Sequence, residues 1–195
     1  MVLYLNRVTD LIDLDNVTPA FNPFDDQNVG IEVGRTGWIN LPAVSTGMGA
    51  EAELELFPTD GLDLFANASV SKVTENTDGT VVTEGSSSSF KVNAGASYRT
   101  PYRTDVSLSL NYLSAQDWGL REFDPDTLAI TVVSSPLEAR ILASARIAVR
   151  PFVDADFELA VNAWNFTAFF SDGFREHPEG QPITGRLYGS VAWRF

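Results

Sequence analysis

Non-polar residues recur at every second position along most of this chain. In "GMGAEAELELF", Met48, Ala50, Ala52, Leu54 and Leu56 alternate with Gly49, Glu51, Glu53 and Glu55. A period of two places one set on each face of an extended strand. Pro58-Thr59-Asp60-Gly61 follows, with proline and glycine placed as a tight turn requires. Leu62, Leu64, Ala66, Ala68 and Val70 then alternate with Asp63, Asn67, Ser69 and Ser71. Two such runs around a short turn predict a hairpin. The polar stretch from Thr74 to Ser89 predicts an exposed loop with a small hairpin tip at Asp78-Gly79.

The same design repeats. Phe90, Val92, Ala94, Ala96 and Tyr98 form one apolar row, "TPYRT" turns the chain, and Val106, Leu108, Leu110 and Tyr112 form the next. A second long loop is expected from Gln116 to Pro136. "LEARILASARIAV" also fits a helical i, i+4 spacing through Leu137, Ile141, Ala145 and Val149. As a helix, however, it scatters Glu138, Arg140 and Arg146 around the circumference and leaves no clean apolar face, so a strand is expected. After a turn near Arg150 to Asp156 come Phe157, Leu159, Val161 and Ala163, a loop from about Thr167 to Thr184, and the closing run Leu187, Gly189, Val191, Trp193 and Phe195. With the opening "VLYLNRVTDLI" this makes about eight strands in one unit spanning residues 1–195. Short turns alternate with long loops, as in outer-membrane barrels.

A soluble sandwich would show the same period. Here the apolar rows are rich in alanine and glycine, and Tyr98, Tyr112, Phe157, Trp193 and Phe195 are expected near strand ends beside the short turns. An aromatic girdle at a bilayer surface has that placement. The mean hydropathy of -0.03 does not discriminate, because a barrel averages to neutral, but no apolar run reaches the roughly 20 residues of a spanning helix. The expected fold is therefore all-β: an antiparallel up-and-down transmembrane β-barrel. If the apolar rows contact lipid, Glu51, Glu53, Glu55, Asp63, Glu158, Arg140, Arg146, Arg186 and Arg194 point into the lumen. There they pair across strands or meet another element.

Three stretches carry a family resemblance in order. "YLNRVTDLID", "GAEAELELFPTDGLDLFANASVS" with its Pro-x-x-Gly turn, and "VNAWNFTAFFSDGFREHPEGQPITGRLYGSVAWRF" together resemble the C-terminal part of TonB-dependent outer-membrane receptors. The loop "REHPEGQPITGR" and terminal Phe195 match most closely. The resemblance implies that this chain is the last strands of a larger 22-stranded, plug-filled barrel in the bacterial outer membrane. It also implies a family function, energised uptake of a scarce solute such as iron-siderophore, cobalamin or glycan. Implied partners are outer-membrane lipid, the barrel-assembly machinery, and, in the full-length protein, a plug domain and TonB. The final row Leu187, Gly189, Val191, Trp193 and Phe195 resembles the signal that assembly machinery reads. Plug and energy-coupling box are absent from the chain, and "MVLYLNRVTD" lacks the features of a secretory signal, so a partial chain is expected.

Composition removes other chemistries. Thirteen Lys and Arg against 26 Asp and Glu leave a net charge of -13, which disfavours nucleic acid. Residues 1–60 carry ten acids and two bases, a local excess expected of solvated loop acids. Cysteine is absent, which removes disulfides and thiolate sites. No catalytic residue, cofactor or metal is expected. His177 stands without the spacing of a ligand set, and Asp10, Asp13, Asp15, Asp25 and Asp26 lack the EF-hand order. Loop aromatics Trp118, Phe169, Phe170 and Phe174 are candidate contacts for an unidentified small-molecule ligand, with packing among the loops as the plainer role. Two alternatives to the receptor stand beside it: a free-standing outer-membrane barrel of about eight strands, and a soluble lipocalin-like binder.

Overall fold

The computed structural model describes residues 1–14, 37–124, 129–153, 156–171 and 173–194. The protein is all-β, with 74% of the described residues in strands. In chain order the strands are β1 (Val2–Leu14), β2 (Trp38–Thr59), β3 (Leu62–Thr77), β4 (Thr80–Thr83), β5 (Phe90–Arg99), β6 (Thr104–Leu113), β7 (Gln116–Asp124), β8 (Ala129–Leu137), β9 (Arg140–Val149), β10 (Asp156–Trp164) and β11 (Arg186–Arg194). One antiparallel sheet runs β1-β2-β3-β5-β6-β9-β10-β11, with β4 folded back on β3. Its β1 and β11 edges do not pair with each other among the described residues. "LEARILASARIAV" is extended as expected, although Leu137 ends β8 and β9 begins at Arg140.

Turn chemistry sets the hairpins. Gly61, at φ 78°, closes the β2–β3 turn, and a side chain there would collide with the Arg99 carbonyl oxygen. Asp78 and Gly79, at φ 50° and 86°, make the predicted tip between β3 and β4, the paired left-handed conformation of a two-residue hairpin turn. In the β5–β6 turn the Thr100 hydroxyl accepts from the Tyr102 and Thr104 amides, both at 3.2 Å. The Arg150 amide donates to the Arg103 carbonyl at 3.0 Å, so this turn is tied to the start of the β9–β10 connection.

Two expectations need correction. Residues 116–136 are not an irregular loop: β7 and β8 pair along their length from Gln116↔Leu137 to Asp124↔Ala129 as a separate two-stranded ribbon. The β-branched run Ile130-Thr131-Val132-Val133 favours extension. Pro136 is tolerated because β8 has β7 as its one partner strand, leaving an edge where no amide is needed. Likewise Tyr112 lies at the long-loop end of β6, with its ring 6.0 Å from that of Phe90, because β6 runs away from the short turn. Tyr98, Phe157 and Trp193 do lie at the short-turn ends.

Candidate functional site

Register carries each alternating row across the whole sheet. Leu3↔Ala50, Ala50↔Val70, Val70↔Phe90 and Leu64↔Ala96 are directly opposed. Farther along come Ala96↔Leu108, Leu108↔Ala145, Val161↔Ile147 and Leu159↔Val191. Opposed residues share a face, so every apolar row joins one continuous surface over eight strands. That surface is bare: Leu108 is 42% exposed, Ile147 54%, Val161 56% and Val191 67%. The buried apolar residues among those described are five alanines, Ala43, Ala143, Ala148, Ala160 and Ala168. Among the described residues no hydrophobic core forms between layers.

The other face is polar and concave. One groove of about 440 Å³ is lined from β2 (Glu55, Phe57) across β3, β5, β6, β9 and β10 to Tyr188 on β11. In a flat sheet those outer strands would stand about 29 Å apart, six spacings of roughly 4.8 Å; meeting at one groove requires a strong curl. The groove is lined by Ser97, Ser107, Ser109 and Ser144 together with Asp63, Phe65, Arg146, Asn162 and Trp164. Phe65 covers Gly95, where a Cβ would meet the ring and approach the Leu108 carbonyl oxygen at 2.8 Å.

Polar side chains on this face satisfy each other along the sheet. Asn93 donates to Asn67 at 2.7 Å and Asn111 donates to Asn93, a ladder across β3, β5 and β6. Toward the short turns, Arg150 bridges Asp105 at 2.6 Å and Glu158 at 3.0 Å, while Glu158 also holds Arg146 at 2.5 Å. Asp105, and secondarily Glu158, raise the Arg150 guanidinium above its already high ordinary pKa. Arg194 meets Asp156 at 3.5 Å across β10–β11, and Arg186 sits 5.5 Å over the Trp164 ring. Cross-strand pairing of the polar-face charges is thus present for Glu158, Arg146 and Arg194. Glu51 and Glu53 line a second groove of about 330 Å³ near β1.

At the opposite end the connections interlock. Gln116 donates to the Ser86 carbonyl at 2.7 Å and accepts from Arg140 at 3.1 Å, joining the β4–β5 loop, the β7–β8 ribbon and β9. Arg140 is consequently buried at this junction rather than projecting into the groove. Asn165, left-handed at φ 49°, ends β10, and its amide donates to Ser144 Oγ at 3.1 Å. A 3-10 turn over Phe166–Phe170 follows, pinned by the Thr167 hydroxyl to the Ile141 carbonyl at 2.8 Å.

The four loop aromatics make separate contacts. Trp118 meets His177 edge-on with ring centroids 4.5 Å apart, and its indole N–H is buried without a partner. Phe169 covers Gly185, Phe174 bridges Ile183, and Phe170 is 87% exposed. Of the closing row, Leu187, Gly189, Val191 and Trp193 lie exposed on β11, and Phe195 lies outside the described residues. Asp10, left-handed at φ 57°, lies where the β1–β2 register shifts between Thr9 and Leu11. Asp15, Asp25, Asp26 and the side chain of Asp13 lie outside the described residues.

No protein-family model matches the chain, and no curated protein matches it.

Sequence reasoning missed the junction built on Gln116, Arg140 and Ser86, because residues 30 apart meet there with no periodic signal. It also missed Asn67, Asn93 and Asn111. Their shared register on adjacent hairpins was available as the signal.

Proposed function

We propose that this chain is the C-terminal wall of a TonB-dependent outer-membrane receptor barrel, serving energised uptake of a scarce solute of the siderophore-iron, cobalamin or glycan class. Its apolar face meets lipid, and its concave polar face lines the lumen. The observation that carries this reading is the unbroken exposed apolar surface on an antiparallel meander that buries no core among its described residues. In water such a surface exceeds the patches that soluble monomers leave bare; in hydrocarbon it is the outward band of a barrel. β5, β6, β9, β10 and β11 are each 9 or 10 residues long, close to the roughly 9–11 residues of a tilted spanning strand. Phe90 and Tyr98 bracket β5 by about 26 Å along the strand, eight rises of roughly 3.3 Å, and so supply an aromatic residue near each bilayer surface. Among the described residues the β1 and β11 edges are unpaired; such edges are untenable in lipid, which favours a segment of a larger barrel over a closed eight-stranded one.

The absence of cysteine makes the test simple. Single-cysteine variants at Leu108, Val161 and Val191, and at Ser109, Asn162 and Ser190 on the other face, are labelled with a fluorophore in phospholipid vesicles. Lipid-borne quenchers are expected to reach the first set and aqueous quenchers the second. The reverse pattern, or a folded monomer in buffer without detergent, refutes the membrane assignment. A plug and energy-coupling box encoded upstream would support the receptor over the free-standing barrel.

A further inference from the structure

Two carboxylates on the concave face flank one phenyl ring. Glu55 on β2 lies directly opposite Phe65 on β3, and Asp63 precedes Phe65 by two residues on the same face. The Phe65 ring lies over Gly95, and the Asp63 carboxylate accepts the Ser97 hydroxyl at 3.4 Å. Gly95 and Ser97 follow one another on that face of β5, so ring and carboxylate stand side by side above it. Glu55, Asp63 and Phe65 are all exposed, Phe65 by 42%, and all three line the groove of about 440 Å³. Neither acid has an ion pair among the described residues. Arg146, the cation on the same lining, is held by Glu158 at 2.5 Å, which leaves the two carboxylates uncompensated. An aromatic ring beside unpaired carboxylates attracts a cation. Trp164, on the β10 part of the lining, already carries one: Arg186, 5.5 Å from the ring centroid.

We propose that this groove binds a small organic cation at its β2–β3 end. The ammonium group sits between Glu55 and Asp63 against Phe65, and the non-polar body of the ligand runs toward Trp164 and Tyr188 on the same lining. The volume suits a compact ligand. The same two carboxylates repel an anion, which selects a cationic solute over an acidic one. The proposal goes beyond the barrel-segment reading: it stands on the groove and is independent of what covers the apolar face of the sheet.

The test uses the full chain labelled with 13C-phenylalanine, in non-ionic detergent micelles, with benzylamine, cationic at neutral pH, as the probe and benzyl alcohol as its uncharged counterpart. Benzylamine is expected to shift the Phe65 ring resonance, identified by its loss in Phe65→Leu, in a saturable manner, and benzyl alcohol to leave it in place. By calorimetry, Asp63→Asn is expected to weaken benzylamine binding by at least about fivefold and Phe65→Leu by about two- to fivefold. Glu51→Gln, which removes a carboxylate from the neighbouring groove, is expected to leave the affinity unchanged because solvent and salt screen it. Equal binding of benzyl alcohol, an equal loss in Glu51→Gln and Asp63→Asn, or undiminished affinity in Phe65→Leu overturns the assignment. Should Asp63→Asn or Phe65→Leu fail to fold, calorimetric comparison of benzylamine with benzyl alcohol on the unsubstituted chain decides by the same criterion.

Discussion

Leu108→Arg separates a lipid-facing sheet from a water-facing one by magnitude. Leu108 is the fifth of ten residues in β6, opposite Ala96 and Ala145 on the apolar face. It lies roughly 15 Å from either strand end at about 3.3 Å per residue, near the middle of any bilayer the strand crosses. A guanidinium there costs about 2–4 kcal/mol, a shift of about 30- to 700-fold in the folding equilibrium. In water the same exposed position would change stability by less than about 0.5 kcal/mol. Two controls fix the interpretation. Val149→Arg, on the same face at the short-turn end of β9, is expected to cost about 0–1 kcal/mol because the charge reaches the interface. Ser109→Arg, the neighbour that lines the concave groove, is expected to stay within about 0.5 kcal/mol. Reversible guanidinium unfolding from phospholipid vesicles, followed by tryptophan fluorescence, reads all three. A Leu108→Arg cost below about 0.5 kcal/mol, or one matched by Ser109→Arg, refutes the reasoning.

Other expectations concern the polar face and the junction. Gly95→Val forces a branched side chain against Phe65 and the Leu108 carbonyl and is expected to destabilise by about 1–3 kcal/mol; combining it with Phe65→Ala should recover part of the loss in the same unfolding assay. Asn93→Ala removes the middle rung between Asn67 and Asn111 and should cost about 1–2 kcal/mol, since two amides lose a partner at once. Gln116→Ala cuts the links to Ser86 and Arg140, so faster amide exchange in β7 and β8 with unchanged exchange in β5 and β6 is the expected signature.

How much of this was legible from the residues follows from where the information sits. Each apolar row is local: Met48 to Leu56 and Leu62 to Val70 declare a face because strand side chains repeat every two residues, and the Pro58–Gly61 turn fixes their register. Once successive hairpins share that register, the continuous surface from Leu3 to Val191 follows. β7 hid itself because its half-buried side, Gln116, Trp118 and Leu120, opens on a polar residue, and its exposed side, Asp117, Gly119 and Arg121, includes a glycine, which blurs the alternation in the sequence. Tyr112 was placed at the wrong end because position along a strand depends on its direction, which a single aromatic does not reveal. The Trp118–His177 contact and the Gln116–Arg140 bond join segments that no short-range pattern relates. Curl, too, is a property of the assembled sheet, and with it the groove that brings Glu55 near Tyr188.

The five buried alanines carry a thermodynamic consequence. Heat capacity changes on unfolding when non-polar area that folding had removed from water returns to it. A sheet whose leucines and valines are exposed or only half-buried when paired returns little, so its calorimetric signature in an aqueous medium is a faint, broad step instead of a sharp peak. Cooperativity arrives only with whatever medium or protein covers those side chains, and the melting temperature then reports on that cover as much as on the polypeptide.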